Sequence, residues 1–143
     1  MPTSRWLALA CGAGVLTGLS EYPTALLAVG RHGGTAQLGA LLPLVPLIVL
    51  AAVVAWHAPA SGWFLRTFAA TLLASVIALP FVAPMVRAAG RTLAGRHNGD
   101  FALIVPRASA YLGIKLGVTV VLCLVISGAV GLLVRGFLRF RAA

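Results

Sequence analysis

Two charged side chains lie within long apolar stretches of this sequence, and they are the residues best placed to do chemistry. Glu21 belongs to the stretch that begins at Trp6, and Lys115 belongs to the stretch that begins at Ala108. Burying a carboxylate or an ammonium group in hydrocarbon is costly, so each must face protein or water and is expected to have a partner. The two residues therefore predict either an intramembrane charge pair or a site that takes up a proton or a cation.

The positions of the two charges along their helices predict that they meet. Glu21 lies nine residues before Gly30, the expected end of the first helix, and Lys115 lies seven residues after Ala108, the expected start of the fourth. If these helices are antiparallel, both charges lie roughly 10–14 Å below the same surface, at 1.5 Å per residue. Each would then reduce the desolvation cost of the other. The alternative is that Lys115 extends alone to the interface and Glu21 is protonated.

The composition predicts that membrane helices hold these charges. The chain has 143 residues, of which 61% are hydrophobic and 9% are charged, whereas soluble proteins are roughly 25% charged. A membrane-spanning helix needs about 20 apolar residues, so the length allows four spans and little else. We expect an all-α polytopic integral membrane protein, a four-helix transmembrane bundle with short loops, forming a single domain over 1–143. The expected segments are spans 6–29, 38–56, 63–86 and 108–134, a basic loop 87–107 and a basic–aromatic tail 135–143.

Glycine pairs in the first and fourth spans predict close helix packing. Gly14 and Gly18 form a GxxxG pair, and Glu21 lies on the same helical stripe. Gly113 and Gly117 form a similar pair in the fourth span. Small residues at this spacing let another helix backbone approach closely, so Glu21 is expected to face a neighbouring helix.

Polar residues recur every fourth position in the fourth span, namely at Tyr111, Lys115, Thr119, Cys123 and Ser127. At 3.6 residues per turn such a stripe drifts by about 40° at each step. The drift predicts that the stripe winds around the helix and does not line one pore.

The basic residues are expected to contact the membrane surface. The formal net charge is +9, but the bases mostly lie between or just beyond the apolar stretches, where arginine meets lipid phosphate. This placement argues against nucleic-acid binding, and the five-to-five division of arginines between the two sides leaves the orientation tied. The candidate contacts with lipid phosphate or a partner protein are Arg87, Arg91, Arg96, Arg135, Arg139 and Arg141.

Metal, cofactor and catalytic chemistry have no support in the sequence. His32, His57 and His97 fall in expected loops or at span edges, and no two share a helix face. Cys11 and Cys123 lie inside spans and show no CxxC or Cys/His spacing. We therefore predict no metal site, no cofactor and no catalytic residue.

Two families share single features with the chain. It resembles small four-helix multidrug exporters in having a glutamate in the first span, and this resemblance implies that Glu21 carries a proton or a cation. The residues around it, LSEYPTALL, lack the flanking motif of that family. The chain also resembles small membrane proteins of the anthrone-oxygenase-like type in its size, its glycine-rich first helix and the prolines early in its second span, and this second resemblance implies a membrane-embedded enzyme.

Short loops, several small-residue helix faces and basic ends favour a non-enzymatic role. We expect an accessory, assembly or structural subunit of a membrane complex, in contact with the bilayer and with other membrane proteins or further copies of itself. The alternatives are a small proton- or ion-coupled transporter that uses Glu21, and a membrane-embedded enzyme that acts on a lipophilic substrate. The use of Ala, Arg, Gly, Val and Leu is typical of a GC-rich bacterial genome, so we expect a multi-pass protein of the bacterial cell membrane.

Overall fold

A computed structural model describes residues 3–30, 41–94 and 108–142, and these ranges contain helices, turns and no strand. The prediction of an all-α fold is therefore confirmed over the described residues. The helices are α1, Thr3–Gly30, α2, Leu44–His57, α3, Trp63–Ala94, and α4, Ala108–Ala142.

Proline fixes the start of α2. Pro43 immediately precedes the helix, and Pro46 lies in its first turn, where a backbone N–H has no partner inside the helix. The N–H of Val45 donates to Leu42 O at 3.3 Å and closes the turn before the helix. α2 has 14 residues, which is shorter than the predicted span 38–56, and the first residues of that span lie outside the described ranges.

A tight turn, residues 58–62, connects α2 to α3. Ala58 leaves the helix with an extended backbone, and its N–H donates to Val54 O at 2.9 Å. Gly62 has a φ of +79°, a backbone angle that residues with a Cβ rarely adopt. This turn reverses the chain, so α2 and α3 are antiparallel.

Contacts along the helices establish an up-down-up-down order. Gly14 and Gly18 of α1 lie next to Ala74 and Ala78 of α3, so residue numbers rise together and the two helices are parallel. α3 and α4 are antiparallel, because the position pairs 71/127 and 75/123 meet. α1 and α4 are therefore antiparallel to each other.

The two central helices are α2 and α3, which pack against each other and against both other helices. The most extensive contact joins α1 and α3, while α1 and α4 have almost no contact over the described residues. α1 and α4 thus lie on opposite sides of the α2–α3 pair.

Two of the described helices are long and apolar enough to cross a membrane. They are Trp63–Ala89, with a mean hydropathy of 2.1, and Gly117–Arg141, with a mean hydropathy of 2.6. Of the others, α2 is apolar but has 14 residues, and α1 has 28 residues with a glutamate inside.

α3 and α4 continue beyond their predicted ends at residues 86 and 134. α3 extends to Ala94 and α4 extends to Ala142. Arg87 and Arg91, expected in a loop, therefore lie on the last turns of α3, and most of the expected tail is helical. Arginine is a good helix former, so a basic segment that leaves the apolar stretch can continue the helix.

Candidate functional site

All four helices contribute to a cavity of about 300 Å³ beside Glu21. Its walls are mainly apolar, with Leu44 and Leu47 from α2 and Val118 from α4 among them. The polar residues that line it are Thr17, Glu21 and Thr24 of α1, Ser75 of α3 and Thr119 of α4. One carboxyl group and four hydroxyl groups therefore surround a mostly apolar space.

Helical spacing and the α1–α3 contact place Glu21 in this cavity. Thr17, Glu21 and Thr24 are separated by four and three residues, so they lie on one face of α1. Gly14 and Gly18 hold the same helix against α3, and a Cβ on Gly14 would be 2.6 Å from Ala74 O. As a result Glu21 is only 8% exposed.

Prolines of three helices lie near the cavity. Pro23 follows Glu21 by two residues in α1, Pro43 lines the cavity at the start of α2, and Pro80 follows the lining residue Leu79 in α3. Pro23 and Pro80 lie inside their helices, and each removes one backbone donor there. Regular backbone bonding is thus interrupted around the cavity, a feature tolerated where neighbouring groups satisfy the freed carbonyls.

Side-chain hydroxyl groups bond to the α1 backbone beside Pro23. The hydroxyl of Ser20 donates to Thr17 O at 2.7 Å, and the hydroxyl of Thr24 donates to Ser20 O at 2.8 Å. These bonds give the backbone carbonyls of Thr17 and Ser20 a side-chain donor. α1 is continuous through Pro23.

The hydroxyl of Thr17 differs from its neighbours. Thr17 is 7% exposed, and its Oγ1 is buried without a hydrogen-bond partner among the described residues. Leaving a buried hydroxyl unsatisfied costs about 1–3 kcal/mol. Because Thr17 lies one turn before Glu21 and lines the same cavity, its hydroxyl is available to a group that enters there.

A ladder of hydroxyl groups on α3, formed by Thr67, Thr71 and Ser75, joins this helix to α4. Each hydroxyl donates to the carbonyl four residues earlier. Thr71 Oγ1 also lies 3.2 Å from Ser127 Oγ, and Ser75 Oγ lies 3.3 Å from Cys123 Sγ. The sequence analysis missed this ladder, although the spacing of four between its members was a visible signal.

The polar stripe of α4 was expected to wind around the helix, but three of its residues lie on the inward face. Thr119 lines the cavity, while Cys123 and Ser127 are fully buried against α3. Two steps of the stripe accumulate a drift of only about 80°, which is less than the width of the inward face. Over these three residues the stripe therefore stays inside the bundle.

The structure describes the side chain of only one member of the predicted charge pair. Glu21 lines the cavity, whereas the side chain of Lys115 lies outside the described part of the chain. Residue 115 itself is on α4, three and four residues before the lining residues Val118 and Thr119. The helical register thus places position 115 on the cavity face of α4, and the charge pair stays a prediction.

The predicted packing glycines have different surroundings. A Cβ on Gly18 would lie 2.6 Å from Phe81 Cβ and 3.1 Å from Ala78 O, so α1 and α3 are in close contact there. A Cβ on Gly117 would meet no atom of the described side chains within 4 Å. The surroundings of Gly113 lie outside the described part.

Arg135, predicted to contact lipid phosphate or a partner protein, has hydrogen-bond partners within the chain. Its guanidinium donates to the carbonyl of Ala58 and, at 2.8 Å, to that of Pro59. It therefore secures the turn after α2. Of the other predicted contact arginines, Arg96 lies outside the described ranges, and the exposed ones are Arg87, Arg91, Arg139 and Arg141.

The described residues contain no group of three or more His, Cys, Asp and Glu side chains that could hold a metal ion. Comparison with protein-family models, with curated proteins and with solved structures finds no match for this chain.

Proposed function

We propose that this chain is a multi-pass protein of the cell membrane, in which all four helices form a transmembrane bundle. The distribution of side chains supports this placement, because polar groups lie inside and large apolar groups lie outside. Buried polar residues include Glu21, Thr71 and Ser127, whereas Leu133 is 74% exposed. Only 29% and 22% of the two apolar spans are buried, and a core helix of a soluble protein would be mostly covered. The hydrocarbon chains of lipid can contact such an apolar surface without a cost in free energy.

Within this bundle we propose that the Glu21 cavity binds a proton or a monovalent cation, as in a small ion-coupled transporter. The observation that carries the proposal is a buried carboxyl group in a cavity lined by all four helices. Acidic residues inside membrane bundles are expensive, and they commonly mark ion and proton pathways. The hydroxyl groups of Thr17 and Thr119 offer further oxygen atoms, which hard cations prefer as ligands.

The prolines near the cavity favour the same proposal. In membrane transporters, irregular backbone at membrane depth occurs where it lines a cavity, and substrate sites lie beside it. Here Pro23 and Pro80 each remove one backbone hydrogen bond from α1 and α3 near the cavity, and Pro43 lines the cavity just before α2 begins. Helix segments on either side of a missing backbone hydrogen bond can move relative to each other. Such movement would open the cavity first to one side of the membrane and then to the other.

Proton flux through reconstituted vesicles tests the transport proposal. Vesicles that contain the full chain and a pH-sensitive dye are given a sodium or a potassium gradient, and alkaline carbonate extraction checks that the protein is embedded. We expect proton exchange several times that of protein-free vesicles. Glu21→Gln should lower it to the protein-free rate, because the amide cannot exchange a proton, and Glu21→Asp should retain part of it.

Ser20→Ala is the matched control, since Ser20 precedes Glu21 directly and its hydroxyl bonds to Thr17 O. This variant should keep the flux of the unmodified chain. Equal flux in Glu21→Gln and the unmodified chain would contradict the proposal, as would an unmodified chain that exchanges no more protons than protein-free vesicles.

The second candidate function is an accessory subunit of a membrane complex. Exposed glycines favour it. A Cβ added to Gly12 or Gly117 would meet none of the described residues within 4 Å, and exposed small residues let a partner helix approach closely. We expect the tagged chain, purified in mild detergent, to retain a stoichiometric membrane protein. Gly12→Leu should release that protein while Leu7→Ala, at an exposed position about 140° away around α1, retains it. Equal retention by both variants would exclude this face as the contact.

A further inference from the structure

A second cavity lies at the other end of the α1–α3 pair, and no proposed role uses it. It is an open groove of about 460 Å³. α1 and α3 form its walls, and Val54 of α2 lies at its base. The residues that define it here are Trp6, Ala10, Val54, Arg66, Ala69 and Leu73, and we call it the Arg66 groove.

Among the described residues that line the Arg66 groove, Arg66 is the one with a charge. Arg66 lies three residues into α3, near the turn after α2, and Leu73 lies two turns deeper. The guanidinium of Arg66 is exposed and forms no ion pair or hydrogen bond with the described residues. The groove thus has a cationic end near the turn and apolar walls below it.

The groove has space for a ligand because small side chains line part of it. Ala10 and Ala69 contribute only methyl groups on facing helices, while Trp6 and Leu73 provide larger apolar surfaces. From Arg66 to Leu73 the helix rises by about 10 Å. This length suits an extended hydrocarbon chain that runs along the helices with its polar end at Arg66.

The end of the bundle at Arg66 is strongly basic. α1 and α3 begin there and α4 ends there, since Trp63 packs over Gly131. The one acidic residue within the described ranges, Glu21, lies in the other half of α1. The arginines at this end are Arg5, Arg66, Arg135, Arg139 and Arg141. This surface attracts anionic headgroups, and indole rings favour the same interfacial depth.

We propose that the Arg66 groove binds one anionic phospholipid, with its phosphate on the guanidinium of Arg66 and an acyl chain between α1 and α3. A neutral partner helix fits less well, because it would leave the guanidinium of Arg66 at the end of the groove without an anion. The proposal rests on the membrane placement proposed above. It does not depend on transport through the Glu21 cavity, so the lipid experiment and the flux experiment can fail independently.

Native mass spectrometry of the full chain in detergent, with phosphatidylglycerol or phosphatidylcholine added, tests this proposal. We expect the unmodified chain to retain one phosphatidylglycerol molecule in preference to phosphatidylcholine. Arg66→Gln should reduce this preference about fivefold, the amount that one basic residue near a membrane surface contributes. Ala69→Leu should reduce retention of both lipids, because the larger side chain fills the groove from an exposed position.

Arg139→Gln is the matched control, since it removes the same charge from an exposed site at the same end of the bundle. It should reduce the preference for phosphatidylglycerol by less than Arg66→Gln does. Equal losses in Arg66→Gln and Arg139→Gln would overturn the proposal, because they would show attraction to the whole basic surface. Unchanged retention in Ala69→Leu, or no preference in the unmodified chain, would also overturn it.

Discussion

Replacing Gly14 with alanine should destabilise the bundle by about 1–3 kcal/mol, the usual cost of overpacking a close contact. The new Cβ would lie 2.6 Å from Ala74 O and 2.8 Å from Ile77 Cβ. Both atoms are fixed to the α3 backbone, so no side-chain rotation relieves the clash. α1 and α3 would have to separate along their whole contact. Unfolding of the purified chain by denaturant in mild detergent measures the loss.

Gly12→Ala is the control, because it adds the same methyl group to the same helix in open space. Alanine is a better helix former than glycine by roughly 0.5–1 kcal/mol. The control should therefore leave stability unchanged or raise it, whereas Gly14→Ala lowers it. If the two variants have equal stability, the close α1–α3 contact does not hold the bundle together.

The glycine spacing in α1 indicated a close contact but could not identify its partner. Gly14 and Gly18 predicted that some helix approaches, and α3 occupies that position with Ala74 and Ala78. GxxxG specifies a surface without a bulky side chain, and several helices of this chain carry small residues. The choice of α3 depends on contacts between residues about sixty positions apart, which local spacing does not encode.

Helix boundaries were predictable from the sequence where the apolar stretch and the helix begin or end at the same residue. The predicted start of α3, residue 63, agrees with the structure, since Gly62 and the preceding turn stop one helix and begin the next. The predicted spans end at residues 86 and 134, and the helices continue past both. Apolar stretches mark where hydrocarbon contact ends, and a helix with arginines can continue into the interface.

The carboxyl group of the site was evident from the sequence, but the cavity was not. Glu21 is conspicuous because an acid is rare in an apolar stretch. The cavity depends on the way α2 begins at Pro43 and on the separation of α1 from α4 across the central helices. These are properties of packing. The position of Thr119 on the cavity face likewise depends on how α4 lies against α3.

The predicted pair of Glu21 and Lys115 can be tested by a double-mutant cycle. Removing one member of a buried ion pair leaves an uncompensated charge and costs about 3–5 kcal/mol. Glu21→Gln and Lys115→Gln should therefore each destabilise the chain by this amount. The double variant leaves no unpaired charge, so it should lose less than Glu21→Gln alone. The free energies of unfolding in mild detergent give the coupling between the two positions.

Arg139→Gln combined with Glu21→Gln provides the control, because Arg139 is exposed near the far end of α4. These two effects should add, since distant sites are independent. Additive losses for Glu21 and Lys115, or a double variant no more stable than Glu21→Gln, would contradict the pair. A strong coupling would also bear on transport, because a cation that enters the cavity must compete with the Lys115 ammonium for the same carboxylate. In Lys115→Gln that competition is absent, so cation binding at Glu21 should tighten even as the bundle loses stability.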